Sequence, residues 1–155
     1  MNTTRITTPL LLGALAACGI MDSTRDSSPL SFAIREGHFI NDPPPQLQIT
    51  LLVETETQYP CLGYWLESDL NTAGNVLHVS VSGRVRKPEG ACLTAIGPAV
   101  FSVALPVTVG SYALEFTRDG VTDRYGVTIT ATTIEIATIE SHFTTPTALS
   151  FPRGN

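Results

Sequence analysis

Residues 76–85, VLHVSVSGRV, set the fold class that this sequence predicts. Every second residue of the stretch is apolar, and polar residues stand between them. The apolar set is Leu77, Val79 and Val81, and the polar set is His78, Ser80 and Ser82. Successive side chains of a strand point to opposite faces, so the pattern predicts a β-strand with one buried and one solvated face.

The same period-two alternation recurs along most of the chain. The further runs are LQITLLVET at 47–55, AVFSVAL at 99–105, SYALEF at 111–116, YGVTIT at 125–130 and TIEIAT at 133–138. Turn-forming residues separate the runs: NDPPP at 41–45, NTAGN at 71–75, KPEG at 87–90 and RDG at 118–120. Short strands at this spacing, with no helical stripe between them, predict an all-β domain over 31–140, an antiparallel β-sandwich of about seven or eight strands.

Length and charge restrict the classes of protein to consider. The chain has 155 residues, which favours one domain, and its formal net charge is −5. Cations cluster only at Arg84, Arg86 and Lys87, whereas binding a phosphate backbone needs a broader basic surface. We therefore expect no nucleic-acid partner.

The N-terminal residues 1–17 have the pattern of a secretion signal. One cation, Arg5, precedes the apolar run PLLLGALAA at 9–17. As a helix this run would span roughly 14 Å, about half of a bilayer core, so it predicts a signal peptide rather than a transmembrane anchor. One alternative is that residues 14–16, Ala-Leu-Ala, form an ordinary signal-peptidase site, which would release a soluble secreted protein.

The segment LAACG at 15–19 resembles the lipobox of bacterial lipoproteins. In that family the cysteine thiol receives a diacylglyceryl group, the signal is cleaved before the cysteine, and the new amine is acylated. The resemblance implies that Cys18 begins the mature chain and binds the membrane of the bacterial cell envelope through its lipid. In that family an Asp directly after the cysteine favours the inner membrane, so Gly19 points to the outer membrane. Which side of the membrane the domain faces is left open. Residues 18–30, Ser-rich and polar, are expected to form a flexible tether.

The cysteine count supports this interpretation. The chain has three cysteines, and lipidation of Cys18 leaves Cys61 and Cys92 as a pair. Export to an oxidising compartment then predicts a disulfide between them. Closing a loop of about 30 residues should stabilise the fold by roughly 3–4 kcal/mol.

A second resemblance concerns architecture. Leu105-Pro106 followed by GSYALEF at 110–116 is similar to the late hairpin of bacterial immunoglobulin-like, fibronectin-like and prealbumin-like modules. The resemblance implies an immunoglobulin-like sandwich and carries no ligand with it. The two paired cysteines stand 31 positions apart, closer than the inter-sheet pair of antibody domains, so no antigen-binding role is implied.

The sequence contains no recognisable catalytic or metal-binding motif. The histidines are far apart, and no nucleophile elbow or phosphate-binding loop occurs. We therefore predict a protein that is not an enzyme and that has no metal ion and no cofactor.

The segment YPCLGYWLE at 59–67 is apolar on both faces when taken as one strand. If Cys61 points inward, Trp65 does too, and the opposite face carries residues that could bind an envelope protein or a glycan. The predicted partner-binding patch consists of Tyr59, Tyr64 and Leu66. Alternatively, a loop or a terminal segment covers that face.

The sequence thus predicts a non-enzymatic envelope lipoprotein whose β-sandwich serves binding or assembly. Two alternatives remain: a periplasmic metal-binding protein or enzyme with a site assembled from separate strands, and an inhibitor or chaperone-like protein that presents an edge strand. Residues 141–155 are expected to be either a tail or an edge segment.

Overall fold

The computed structural model describes residues 23–38, 47–90 and 92–154, and the regular structure in these ranges is entirely β. The predicted all-β class is confirmed. The strands are β1 Ser23–Arg25, β2 Leu30–His38, β3 Leu47–Tyr59, β4 Trp65–Ala73, β5 Val76–Arg86, β6 Gly97–Ala104, β7 Gly110–Arg118, β8 Val121–Ile129, β9 Thr133–Glu140, β10 Thr144–Pro146 and β11 Ser150–Pro152.

The alternation in the sequence corresponds to burial in the long strands. On β5 the apolar residues Leu77, Val79 and Val81 are buried, while the residues between them are partly or fully exposed. The RDG turn is also as predicted, since Asp119 and Gly120 have φ of 51° and 83° and connect β7 to β8. Two central residues with positive φ are what a tight hairpin needs to match the twist of its strands.

The strands follow one hydrogen-bonded path, in the order β10-β2-β3-β6-β4-β5-β7-β8-β9-β11, and β1 pairs with β5 beside this path. Three of the pairings are parallel: β10 with β2, β4 with β6, and β5 with β7. The described residues therefore form a curled mixed sheet of eleven strands, not the predicted seven or eight antiparallel ones. The three-residue strands are too short to show a period, and alternation along one strand does not reveal the direction of its neighbour.

The sheet is nearly divided between β4 and β6, where the register pairs only Trp65 with Val100. The two parts face each other across the core. Phe32 of β2 contacts Phe116 of β7 and Tyr125 of β8, with ring centroids 4.9 and 4.8 Å apart. Tilted and edge-on aromatic contacts of this kind contribute beyond the apolar area that they bury.

Both ends of the described chain lie against the sheet. Within the range predicted as a tether, residues 23–25 pair with β5, and Leu30 is buried in the core. At the other end β10 and β11 lie at the two edges of the sheet, with Phe143 and Phe151 buried. Arg118 joins the two ends, because its guanidinium donates to the carbonyl of Ser28 at 2.7 Å and lies over the ring of Phe143.

The pairing of β5 with β4 is irregular where the N-terminal segment approaches β5. Gly83 has φ of 67°, and a side chain there would meet the carbonyl oxygen of Asp26 at 3.3 Å. At the same place the register between β4 and β5 shifts between Leu66 and Ser68, as in a β-bulge. Glycine therefore allows both the bulge and the close passage of the N-terminal segment.

Candidate functional site

A turn and a loop lie side by side at one end of the domain, and we refer to this region as the disulfide end. It comprises residues 60–64, between β3 and β4, and residues 87–90 and 92–96, between β5 and β6. The predicted disulfide is confirmed, since Cys61 and Cys92 are bonded with their Cα atoms 5.8 Å apart. The backbone nitrogen of Leu62 also donates to the carbonyl of Leu93 at 3.2 Å.

The turn at 60–64 interrupts the strand alternation that the sequence suggested for residues 59–67. Residues 60–64 do not continue either strand, and Gly63 has φ of 95°, a conformation that favours glycine. As a result Cys61 is 3% exposed whereas Trp65 is 52% exposed, so the expected inward pair of Cys61 and Trp65 is not formed. Leu66, a member of the predicted partner-binding patch, lies in the core at 3% exposure.

The tyrosines of the predicted patch stack on each other. The rings of Tyr59 and Tyr64 are 4.5 Å apart at 20°, and both side chains are half-buried. The hydroxyl of Tyr59 donates to Asp26 Oδ2 at 2.5 Å. Burial and this hydrogen bond raise the pKa of Tyr59. Burial acts to raise the pKa of Asp26 as well, but hydrogen bonds from Tyr59 and Ser28 outweigh it and lower that pKa below its ordinary 3.8.

Four large apolar side chains, three at the disulfide end and one on the first residue of β4, are exposed to solvent, and we call them the disulfide-end patch. They are Leu62 at 42%, Trp65 at 52%, Leu93 at 74% and Ile96 at 75%. Single exposed apolar residues are common on proteins, but several on two adjoining segments suggest a contact surface. The sequence pattern did not identify Leu93 and Ile96, because the segment around them, CLTAIG at 92–97, shows no strand alternation.

Charge is sparse at this end. Within residues 60–65 and the described residues of the 87–96 loop, the charged side chains are Lys87 and Glu89, which offset each other. Arg86, the last residue of β5, forms an ion pair with Glu67 on β4. The disulfide end is therefore an apolar surface with almost no net charge.

A polar cluster away from the disulfide end surrounds Asp123, which is fully buried on β8. Its carboxylate accepts hydrogen bonds from the backbone nitrogens of His142, Phe143 and Thr144, at 2.7, 3.0 and 2.7 Å. His142 Nδ1 lies 3.0 Å from Asp123 Oδ1. Since its hydrogen bonds go mainly to the backbone of one segment, the carboxylate holds that segment in place.

The histidine of β5 contacts a threonine on the neighbouring strand β7. His78, on the outer face of β5, is half-buried, and its Nε2 lies 3.2 Å from the hydroxyl of Thr117. Among the residues that the structure describes, His, Cys, Asp and Glu side chains do not gather in groups of three or more that could hold a metal ion. Within the same ranges no helix is long and apolar enough to cross a membrane.

The residues predicted to direct the protein to the membrane, 1–17 and Cys18, lie outside the described residues. The first described residue after them is Ser23, which begins β1 and lies beside Arg86. No protein-family model, curated protein or solved structure matches this chain.

Proposed function

We propose that this chain is a membrane-anchored lipoprotein of the bacterial cell envelope, held through a lipid on Cys18. Its β domain would then contribute binding or assembly rather than catalysis. The observation that carries the proposal is the bond between Cys61 and Cys92. Because the chain has three cysteines, this bond leaves Cys18 as the one thiol outside the disulfide, directly after the apolar run at 9–17.

Two physical arguments support the location. Structural disulfides persist mainly in oxidising compartments, such as the periplasm and the cell surface. In addition, a lipobox-like LAAC segment at 15–18 immediately precedes a domain whose first described strand begins at Ser23. A lipid on Cys18 would therefore hold the domain close to a membrane surface.

We also propose that the domain is immunoglobulin-like in the broad sense of two facing β-layers. The contacts of Phe32 with Phe116 and Tyr125 across the core support this. So does the position of the GSYALEF segment, which forms most of β7 and buries Leu114 and Phe116. The parallel pairing of β5 with β7 sets it apart from a purely antiparallel sandwich.

Membrane fractionation of cells that produce the full chain or its Cys18→Ser variant tests the anchor. We expect the wild-type chain to sediment with the outer membrane and to resist extraction by high salt. We expect the variant, with its disulfide intact, to be lost from the outer-membrane fraction. Equal association of both proteins with the outer membrane would refute the role of Cys18.

The free edge of β4 supports a second candidate function, that of an inhibitor or chaperone-like protein that takes up an added strand. On the side towards β6, the described residues of β4 are paired only at Trp65, so residues 67–73 present backbone groups to a partner. Extended peptides bind to such edges through main-chain hydrogen bonds. Against this, Asp69 places a negative charge on the strand, and charged side chains are a common protection against edge pairing.

Photo-crosslinking from position 69 in intact envelopes tests this second function. The matched control is position 135 on β9, which is exposed but lies on a strand paired on both sides. A defined crosslinked partner from position 69 and none from position 135 would support an edge-strand function. Equal crosslinking from both positions would argue against it.

A further inference from the structure

The first described strand begins at the end of the domain that carries the disulfide-end patch. The strand β1 runs antiparallel to β5, and its first residue, Ser23, lies opposite Arg86. On the other side of β5, Arg86 lies opposite Trp65 of β4. Ser23 and Trp65 therefore flank the same residue, and with two strand spacings between them their backbones are about 10 Å apart.

The chain between Cys18 and the domain is short. Five residue steps connect Cys18 to Ser23, which span at most about 18 Å when fully extended. By comparison β5, with 11 residues, is about 36 Å long. A membrane that holds Cys18 therefore lies nearer to the disulfide end than to the opposite end, unless the domain lies flat.

The chemistry of this end suits a membrane interface. Trp65 is the only tryptophan in the chain, and tryptophan is enriched where protein meets the boundary between lipid and water. Leu93 and Ile96 are three-quarters exposed on the neighbouring loop, and the charges of Lys87 and Glu89 offset each other. Peripheral binding to bilayers grows with the apolar area that is buried.

We propose that the disulfide-end patch docks into the surface of the bilayer that holds the anchor, a proposal that rests on the proposed lipidation of Cys18. Trp65, Leu93 and Ile96 enter the interfacial layer, and the disulfide keeps their two segments together. The short tether raises the effective concentration of the patch at the bilayer, so weak contacts suffice to orient the domain. The edge of β4 and the opposite end of the sheet then remain available to partners.

The single tryptophan permits a direct test. The mature chain, which begins at Cys18, is coupled through the thiol of that residue to a maleimide lipid in vesicles of phosphatidylethanolamine and phosphatidylglycerol, with or without brominated acyl chains. This coupling does not depend on lipidation in cells. A failure of the docking proposal can therefore be distinguished from a failure of the proposed function. We expect the emission of Trp65 to shift to shorter wavelength in vesicles and to lose intensity with brominated lipid.

Two variants serve as controls. In the first, Trp65→Phe is combined with Val109→Trp, which moves the probe to an exposed site before β7, at the opposite end of β5. We expect this probe to stay unquenched by brominated lipid. In the second, Leu93→Asp with Ile96→Asp keeps Trp65 but makes the patch polar, and we expect it to reduce the quenching.

Three results would overturn the docking proposal. The first is a Trp65 emission that is the same in vesicles and in solution and insensitive to brominated lipid. The second is equal quenching at positions 65 and 109, which would mean that the domain has no preferred orientation. The third is protection of Trp65 only after an envelope protein is added, which would assign the patch to a protein partner.

Discussion

The carboxylate of Asp123 on β8 accepts two hydrogen bonds from Thr144 on β10, one from its backbone nitrogen and one from its hydroxyl, both at 2.7 Å. The hydroxyl of Tyr125 donates to the carbonyl of the same threonine at 2.7 Å. Since β10 pairs with β2, these contacts join the two parts of the curled sheet. The segment after β9 is thus fixed by a buried charge and not only by apolar packing.

Replacing this charge should destabilise the domain. In Asp123→Asn the new amide nitrogen would face backbone donors, so we expect the free energy of unfolding to fall by about 2–4 kcal/mol. Urea unfolding, followed by circular dichroism, measures the change. Asp119→Asn is the matched control, because Asp119 is exposed in a turn and pairs with the exposed Arg25. It should change stability by less than about 0.5 kcal/mol, and an equal loss in both variants would contradict the role of Asp123.

Acid should weaken the domain through the same carboxylate. Burial acts to raise the pKa of Asp123, but the hydrogen bonds from Thr144, Phe143 and His142 outweigh it and lower that pKa below its ordinary 3.8. A depressed folded-state pKa gives stability that is present above the unfolded-state pKa, about 3.9, and that is lost as the pH falls towards the folded-state value.

We therefore expect the free energy of unfolding to fall as the pH drops below about 4. This decrease in the free energy of unfolding should be shallower in Asp123→Asn. Part of the decrease should remain in the variant, because the pKa of Asp26 is also lowered. Urea unfolding of both proteins at several pH values tests this. A steeper fall in the variant than in the wild type would contradict the assignment.

The disulfide should contribute a large share of the stability. Cys61 and Cys92 close a loop with a sequence separation of 31, so the double variant Cys61→Ser, Cys92→Ser should lose roughly 3–4 kcal/mol. Reduction of the wild-type protein during urea unfolding should have a similar effect. Cys18→Ser should leave stability unchanged under both conditions. A wild-type transition that does not respond to reductant would show that the bond does not form.

The C-terminal segment is held by a buried ion pair. Arg153 donates to Glu36 Oε1 from Nη2 at 2.5 Å and from Nε at 3.1 Å. The side chain of Glu36 is buried, and its Oε2 has no hydrogen-bond partner within the described structure. Removing the arginine leaves a buried carboxylate without its counter-charge, so Arg153→Ala should cost about 3 kcal/mol.

A paired replacement separates this charge effect from a loss of packing. Combining Arg153→Met with Glu36→Leu should recover most of the stability, because no unpaired charge then stays buried. Arg35→Ala, at an exposed position beside Glu36, should have little effect. If Arg153→Ala unfolds at the same urea concentration as the wild type, the C-terminal segment does not depend on the pair.

The features that sequence alone predicted are those set by neighbouring residues. The alternation in 76–85 became the buried and exposed faces of β5, and the RDG turn adopted the two positive φ values that its residues favour. The disulfide followed from the cysteine count together with the resemblance of the N-terminus to lipoproteins. In each case the deciding information lies in a short stretch or in a count.

The features that sequence missed depend on one local turn and on residues far apart in the chain. Gly63 breaks the segment at 59–67 into a turn, which exchanges the expected positions of Trp65 and Leu66. Asp123 acquires its role from Thr144, 21 residues further along, and no local pattern marks that contact. The same holds for the parallel pairings, because neighbours in a sheet are chosen by the packing of the whole domain.

The proposal that Cys18 carries the anchor is tested most directly by mass spectrometry of the mature N-terminal peptide, from protein purified out of cell membranes. We expect the peptide to begin at Cys18 and to carry the added mass of a diacylglyceryl group and an amide-linked acyl chain. A mature chain that begins at another residue, or an unmodified Cys18 thiol in the mature protein, would contradict it.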